Sequence, residues 1–164
     1  MLNAPKALPV HTTIPQFSCA ESELLVGSLT LSRLAARVGQ TPFYAYDRKL
    51  LQSRVAELRA ALPANIKLHF AMKANPMPAV VALMAGMVDG IDVASGGELK
   101  VALDAGADPH EVSFAGPGKR RSELGQAVAA GVLINIESFR EVRELTIISA
   151  ELKLPARIAV RVNP

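Results

Sequence analysis

The run Phe70-Ala71-Met72-Lys73-Ala74-Asn75-Pro76 delivers one lysine to the end of a hydrophobic stretch, which Asn75 and Pro76 then break. A lysine at the close of a buried strand costs stability unless its ammonium is paired, its pKa is depressed or its amine is used covalently. A desolvated amine is what condensation with the aldehyde of a cofactor requires. Lys73 is therefore a candidate covalent attachment point, and pyridoxal phosphate is the aldehyde cofactor that suits it. The plainer reading is a strand-end lysine that snorkels to solvent, and spacing alone does not decide between the two.

The elements that must position Lys73 are visible in the hydrophobic pattern. Strand-like runs occur near 43–46, 66–72, 90–93, 111–114, 132–136 and 157–162. Helical runs lie between them, near 48–62, 76–88, 96–106, 119–130 and 138–152. Leu51, Val55, Leu58 and Leu62 form one helical stripe. Asn75 and Pro76 read as a cap and a first-turn proline. Ser95 with Glu98, and Ser138 with Glu141, have the spacing of capping boxes. Gly86, Gly106 and Gly131 fall near helix ends, where a positive φ is expected. Ahead of this region, Glu23 to Val26 reads as a short strand. A short helix opens at Thr30, with Leu31, Leu34, Ala35 and Val38 on one face, and closes at Gly39.

Alternating strands and helices predict an α/β fold with right-handed parallel crossovers. No Gly-x-Gly-x-x-Gly follows the first strand, which disfavours a dinucleotide-binding sheet. The βα units from residue 66 onward repeat every roughly 21 to 25 residues, the size of barrel units. The expected architecture is a partial TIM (β/α) barrel, about five of the eight units that closure requires. Residues 1–40 are expected to form an N-terminal segment, and 41–164 the amino-terminal part of the barrel. A half-barrel leaves two open edges and an uncovered apolar interior, so it should aggregate, dimerise or recruit its missing portion.

Composition excludes several other classes. Of 164 residues, 50% are hydrophobic and only 4% aromatic, with no Trp, as suits small branched side chains between parallel strands and helices. A net charge of +3 with scattered basic residues does not predict nucleic-acid binding. Cys19 is the single cysteine, so no intrachain disulfide or cysteine-rich metal site can form, which fits a reducing cytoplasm. His11, His69 and His110 are too dispersed for a metal site, and His69 is expected to face the barrel interior. The first thirty residues lack the order of a signal peptide, and the apolar stretch from Pro78 to Val88 is too short to span a bilayer. Gly116-Pro117-Gly118-Lys119 lacks the spacing and the Ser or Thr of a phosphate-binding P-loop, so Lys119 is expected to begin the next helix.

Functional groups of parallel barrels stand at the carboxyl ends of strands. Successive ends here offer Lys73; Asp92 with Ser95 and Glu98; Ser113 to Gly116; Asn135, Glu137 and Ser138; and Arg161 with Asn163. An amine, carboxylates, small residues and a guanidinium on one rim suit an anionic, imine-forming cofactor. Each has a plain structural alternative: Asp92 could simply end a strand, Ser95 and Glu98 could only cap a helix, and Arg161 could pair with a neighbouring carboxylate.

On these residues the sequence resembles the amino-terminal part of the fold-type III pyridoxal-phosphate decarboxylases, the diaminopimelate, ornithine and arginine decarboxylase group. The Phe70 to Pro76 run resembles the family's lysine motif. Asp92-Val93-Ala94-Ser95-Gly96-Gly97-Glu98-Leu99 resembles the next block of the diaminopimelate decarboxylases, and Arg161-Val162-Asn163-Pro164 their fifth-strand motif. The resemblance covers about residues 40 to 164. The stretches from Thr41 to Asp47 and from Phe114 to Lys119 look most like an exosortase-associated subgroup.

The resemblance implies that Lys73 binds pyridoxal 5'-phosphate covalently and later returns a proton to the reacting carbon. Asp92 would favour the charged form of Lys73, Arg161 would lie by the cofactor ring, and Ser95 and Glu98 would belong to a supporting shell. The implied reaction is decarboxylation of an amino acid, by default meso-diaminopimelate to L-lysine and carbon dioxide, by a cytoplasmic homodimer. The family's ring-stacking histidine, glycine-rich phosphate loop, ring-nitrogen glutamate and β domain, on which residues 1–40 would pack, come later in the chain. The 164 residues alone are therefore expected to be catalytically dead or nearly so. Three other readings stay open: an amino acid racemase of the alanine racemase type, which shares barrel and lysine; a non-catalytic cofactor-binding or scaffold protein; and a fragment without function of its own.

Overall fold

The computed structural model describes residues 16–20 and 22–162, so Asn163 lies outside the described residues. The chain divides into two compact units, residues 1–56 and 57–164, with the boundary inside a helix.

In the first unit, β1 (Cys19–Ala20), β2 (Glu23–Val26) and β3 (Leu29–Thr30) form an antiparallel sheet in that order. The predicted short helix is α1 (Leu31–Val38). Thr30 caps it by accepting from the Arg33 amide, and Gly39 closes it at φ 78°. The helix α2 (Arg48–Ala61) begins where Asp47 accepts the Lys49 amide at 2.8 Å and the Gly27 amide at 2.9 Å. The strand expected at 43–46 does not form. Its residues pair with no described strand, and Tyr44 is 92% exposed. An alternating pattern becomes a strand only where a partner edge accepts its backbone groups.

The second unit continues with β4 (His69–Ala71), α3 (Pro78–Ala85), β5 (Gly90–Val93), α4 (Gly96–Asp104) and β6 (Val112–Phe114). It ends with α5 (Arg121–Ala130), β7 (Leu133–Ile136), α6 (Phe139–Leu152) and β8 (Arg157–Val160). The five strands pair in parallel in the order β4-β5-β6-β7-β8, as the even βα repeat predicts.

Period-two alternation sorts their side chains. Ile91, Val93, Val112, Phe114, Ile134 and Ile136 are buried in a core they share with Val81, Leu99, Ala102, Leu124, Ala127, Val128, Leu145 and Ile148 from the helices. The alternate positions are only part-buried: His69, Ala71, Asp92, Ser113, Leu133 and Asn135. The expectation of an apolar interior is therefore corrected. Apart from Leu133, the face away from the helices is small or polar, because the branched residues are spent on the helix layer. Gly90 makes room on that face. A Cβ there would lie 2.5 Å from Cε1 of His69 and 2.3 Å from the Glu111 carbonyl oxygen.

Several local expectations need revision. Asn75 does not cap α3. It ends a 3-10 turn (Met72–Ala74), its side chain accepts the Met77 amide at 3.0 Å, and Pro78 takes the first-turn position instead. Gly86 has φ −80°, whereas Gly106 and Gly131 have the positive φ expected of helix ends. Lys119 lies before α5 rather than opening it, fully buried and facing Glu141 at 3.1 Å.

Candidate active site

Beyond the carboxyl ends of β4 to β8 lies a cleft of about 570 Å³ lined by residues from all five βα units. Ala71, Asp92, Ser113 and Asn135 supply one tier from the strands. The segments just after the strands supply the other: Lys73, Ala94, the run Ala115 to Pro117, Glu137 and Arg161. The strand register places Asp92 between Ala71 and Ser113, and the Asn135 side-chain Nδ2 donates to Oγ of Ser113 at 2.8 Å. Small side chains along the wall leave the volume open.

Lys73, Asp92 and Arg161 thus share one cleft. Lys73 reaches it from the 3-10 turn after β4, not from the strand itself, and it is exposed. The expectation of an amine withdrawn from water is not met, because the turn carries the side chain past the last strand hydrogen bonds to the cleft mouth. Asp92 sits on the face of β5 that carries Gly90, and its Oδ1 lies 3.1 Å from Nδ1 of His69. His69 is therefore an interior residue, as expected, and it is the partner of Asp92.

Ser95 and Glu98 do not line the cleft. Ser95 accepts the Glu98 amide at 3.2 Å, and Glu98 accepts the Ala94 amide at 2.7 Å. A side-chain cap of this kind is worth about 1 kcal/mol. Its effect here is to fix the turn that presents Ala94 to the cleft. Glu123 of α5 adds a third acceptor, taking the Gly96 amide at 2.7 Å. The Arg120 amide and that hydrogen bond hold the Glu123 carboxyl below the ordinary glutamate range.

Arg161 follows β8, and its Nη1 donates to Oε1 of Glu137 at 3.3 Å. The same oxygen accepts the Gly116 amide at 2.9 Å. The Gly116 amide, ahead of Arg161 and the nearby Lys119, holds the Glu137 carboxyl below its usual range against the opposing effect of burial. The sequence offered a neighbouring carboxylate as the plain partner of Arg161, and Glu137 is that carboxylate. Which strand-end acid it would be was not legible, because nothing in the spacing pairs residues of neighbouring βα units. Ala71 and Ala94 were missed because small side chains carry no chemical signal; they matter by leaving space. Phe114 faces the core and Ser138 caps α6, so neither joins the cleft. Among the described residues no cluster of His, Cys, Asp or Glu could hold a metal ion, and no helix is long and apolar enough to cross a membrane.

A parallel βα half-barrel with a lysine, a carboxylate and a guanidinium at its strand ends defines a cofactor-binding class of fold. The family model described as the pyridoxal binding domain of pyridoxal-dependent decarboxylases matches residues 48–164, and the chain belongs to that family. Pyridoxal phosphate is the cofactor that membership implies. The diaminopimelate decarboxylase of Aquifex aeolicus is 38% identical over 151 residues, which cover 92% of this chain and 36% of that protein. That of Pseudomonas aeruginosa is also 38% identical, over 90% of this chain and 36% of its own length. The chain thus spans about 36% of the curated relatives it matches. Among solved structures, a protein of Aquifex aeolicus superposes with a TM-score of 0.84 at 37% identity, covering 92% of this chain and 37% of that one. The diaminopimelate decarboxylase of Helicobacter pylori, crystallised with L-lysine, gives 0.74 at 32% identity, covering 81% of this chain and 34% of that one.

Proposed function

We propose that this chain is the cofactor-binding portion of a pyridoxal-phosphate-dependent amino acid decarboxylase, with meso-diaminopimelate as substrate and L-lysine and carbon dioxide as products. The observation that carries the reading is the gathering of Lys73, Asp92 and Arg161 in one cleft of a chain that belongs to this family. The residues present suit the cofactor. One amine stands ready for its aldehyde, a guanidinium and a carboxylate flank the space, and Ala71, Ala94, Ala115 and Gly116 leave that space open. When bound, pyridoxal phosphate supplies an electron sink for the negative charge left as carbon dioxide departs.

Each residue then has a role at a stated atom. Lys73 Nζ would hold the cofactor covalently and would carry the proton returned to the carbon that lost its carboxylate. The Asp92 carboxylate shares the cleft with that amine, and its Oδ1 is held 3.1 Å from His69 Nδ1. Arg161 orients the cofactor ring. Ser95 and Glu98 form a supporting shell by fixing the turn at Ala94. The substrate preference rests on relatives that are diaminopimelate decarboxylases, one of them crystallised with L-lysine. We extend the reading to a homodimer in the cytoplasm, and to a division of the chain into an N-terminal segment at 1–40 and a barrel portion at 41–164.

Titration of the chain with pyridoxal phosphate tests the proposal. A visible absorbance band from lysine-bound cofactor is expected, and K73A should abolish it. A band of equal strength in K73A contradicts the assignment.

A further inference from the structure

The rim of the cleft on the Arg161 side is built around a closed ring of polar contacts that the reaction itself does not use. The Gly116 amide donates to Oε1 of Glu137 at 2.9 Å. The Glu137 amide donates to Oε2 of Glu141 at 2.8 Å. The other oxygen of Glu141 faces Nζ of Lys119 at 3.1 Å. That ammonium donates in turn to the Gly116 carbonyl, which closes the ring. Arg140 ties in from outside, donating to the Lys119 carbonyl at 2.8 Å.

We propose that Glu137 is a positioning residue that aims the Arg161 guanidinium at the cleft, and that the ring Gly116–Glu137–Glu141–Lys119 holds Glu137 still for that purpose. The inference rests on the cofactor role given to Arg161 above.

Burial shows which partner is fixed. The Glu137 side chain is 9% exposed and that of Arg161 is 62% exposed, while both side chains of the Lys119–Glu141 pair are fully buried. An exposed arginine on a free carboxylate wanders, because ordering two long side chains offsets the weak attraction. Here one partner is already ordered by its backbone and by the Gly116 amide, so the guanidinium alone loses freedom. Binding at Nη1 leaves the other N–H donors of the planar fork free for an acceptor in the cleft. A buried ion pair is a poor device for stability alone, since apolar residues of similar volume often serve as well. This one instead fixes two backbone groups of two loops, the Gly116 carbonyl and the Glu137 amide. Gly116 completes the device. It sits at φ 125°, a backbone conformation that L side chains rarely adopt, so glycine is what lets the loop take this path beside Ala94.

The test compares the wild-type chain with E137Q, R161A and the double variant. The glutamine of E137Q keeps the volume and an acceptor for the Gly116 amide but loses the charge. Without cofactor, nitrogen-15 spectra should show slowly exchanging guanidinium protons for Arg161 in the wild type, and faster exchange in E137Q. With cofactor, half-saturation by pyridoxal phosphate should rise about three- to fivefold in E137Q and no further when E137Q is added to R161A. Arg161 is largely exposed, so R161A reads the same pair without disturbing the fold. Unchanged guanidinium exchange in E137Q overturns the inference. So does an E137Q effect that persists at full size in the R161A background, which would mark a merely structural role. If exchange behaves as expected but cofactor never reaches Lys73, the positioning of Arg161 stands and the proposed function falls.

Discussion

Lys119 and Glu141 show how much a single side chain can decide. Both are fully buried. Lys119 donates to the Gly116 carbonyl and Glu141 accepts the Glu137 amide, while Glu141 Oε1 faces the Lys119 ammonium at 3.1 Å as an ion pair without a hydrogen bond. Truncating one leaves the other as an uncompensated buried charge, which costs about 3–5 kcal/mol. K119A should lower stability by that amount in denaturant unfolding, and K119M/E141L should cost less than K119A alone. A loss below about 1 kcal/mol in K119A would show that the pair is not sealed from water. The pair was not legible in the sequence. Lys119 follows a Gly-Pro-Gly turn and Glu141 has the spacing of a capping residue, so each has a sufficient local explanation. Their contact joins two βα units, and no period in the chain announces it. Lys73 taught the converse lesson. Its residue type and neighbours mark it as a candidate, but its exposure depends on a 3-10 turn that the run Met72-Lys73-Ala74 does not declare.

At the scale of elements, the strands are placed by what their inner faces leave out. Gly90 opens β5, and its bare Cα lets the His69 ring lie across it toward Asp92. G90A would drive a methyl against the Glu111 carbonyl, part of the backbone, as well as against the ring. A destabilisation of about 1–3 kcal/mol is expected, read as a lower unfolding midpoint. An unchanged midpoint would mean that the β4–β5–β6 region yields more readily than its packing implies. The five parallel strands and their helices were legible because alternation and helical stripes are local signals, and the Ser95 and Ser138 caps were legible for the same reason. The run at 43–46 has an equally good local signal but no partner among the described strands, and pairing is what makes a strand. Asn75 and Pro76 misled because Pro78, two residues on, suits the first helical turn equally well.

At the scale of the second unit, the division of labour between the two sheet faces accounts for the site. Branched side chains on one face pack against α3 to α6, and the other face carries small and polar groups, so the core stabilises the sheet without filling the cleft. The site lies where parallel βα folds gather functional groups, because every strand points its carboxyl end the same way. Successive strands and the segments that follow them deliver a lysine, a carboxylate, a hydroxyl, an amide with a second carboxylate, and a guanidinium. The central claim is that this convergence serves covalent attachment of a cofactor at Lys73. Borohydride reduction of the chain in the presence of pyridoxal phosphate, followed by peptide mapping, tests it most directly. The account predicts the reduced pyridoxyl group on Lys73; a label on any other lysine, or spread evenly over the surface lysines, would contradict it.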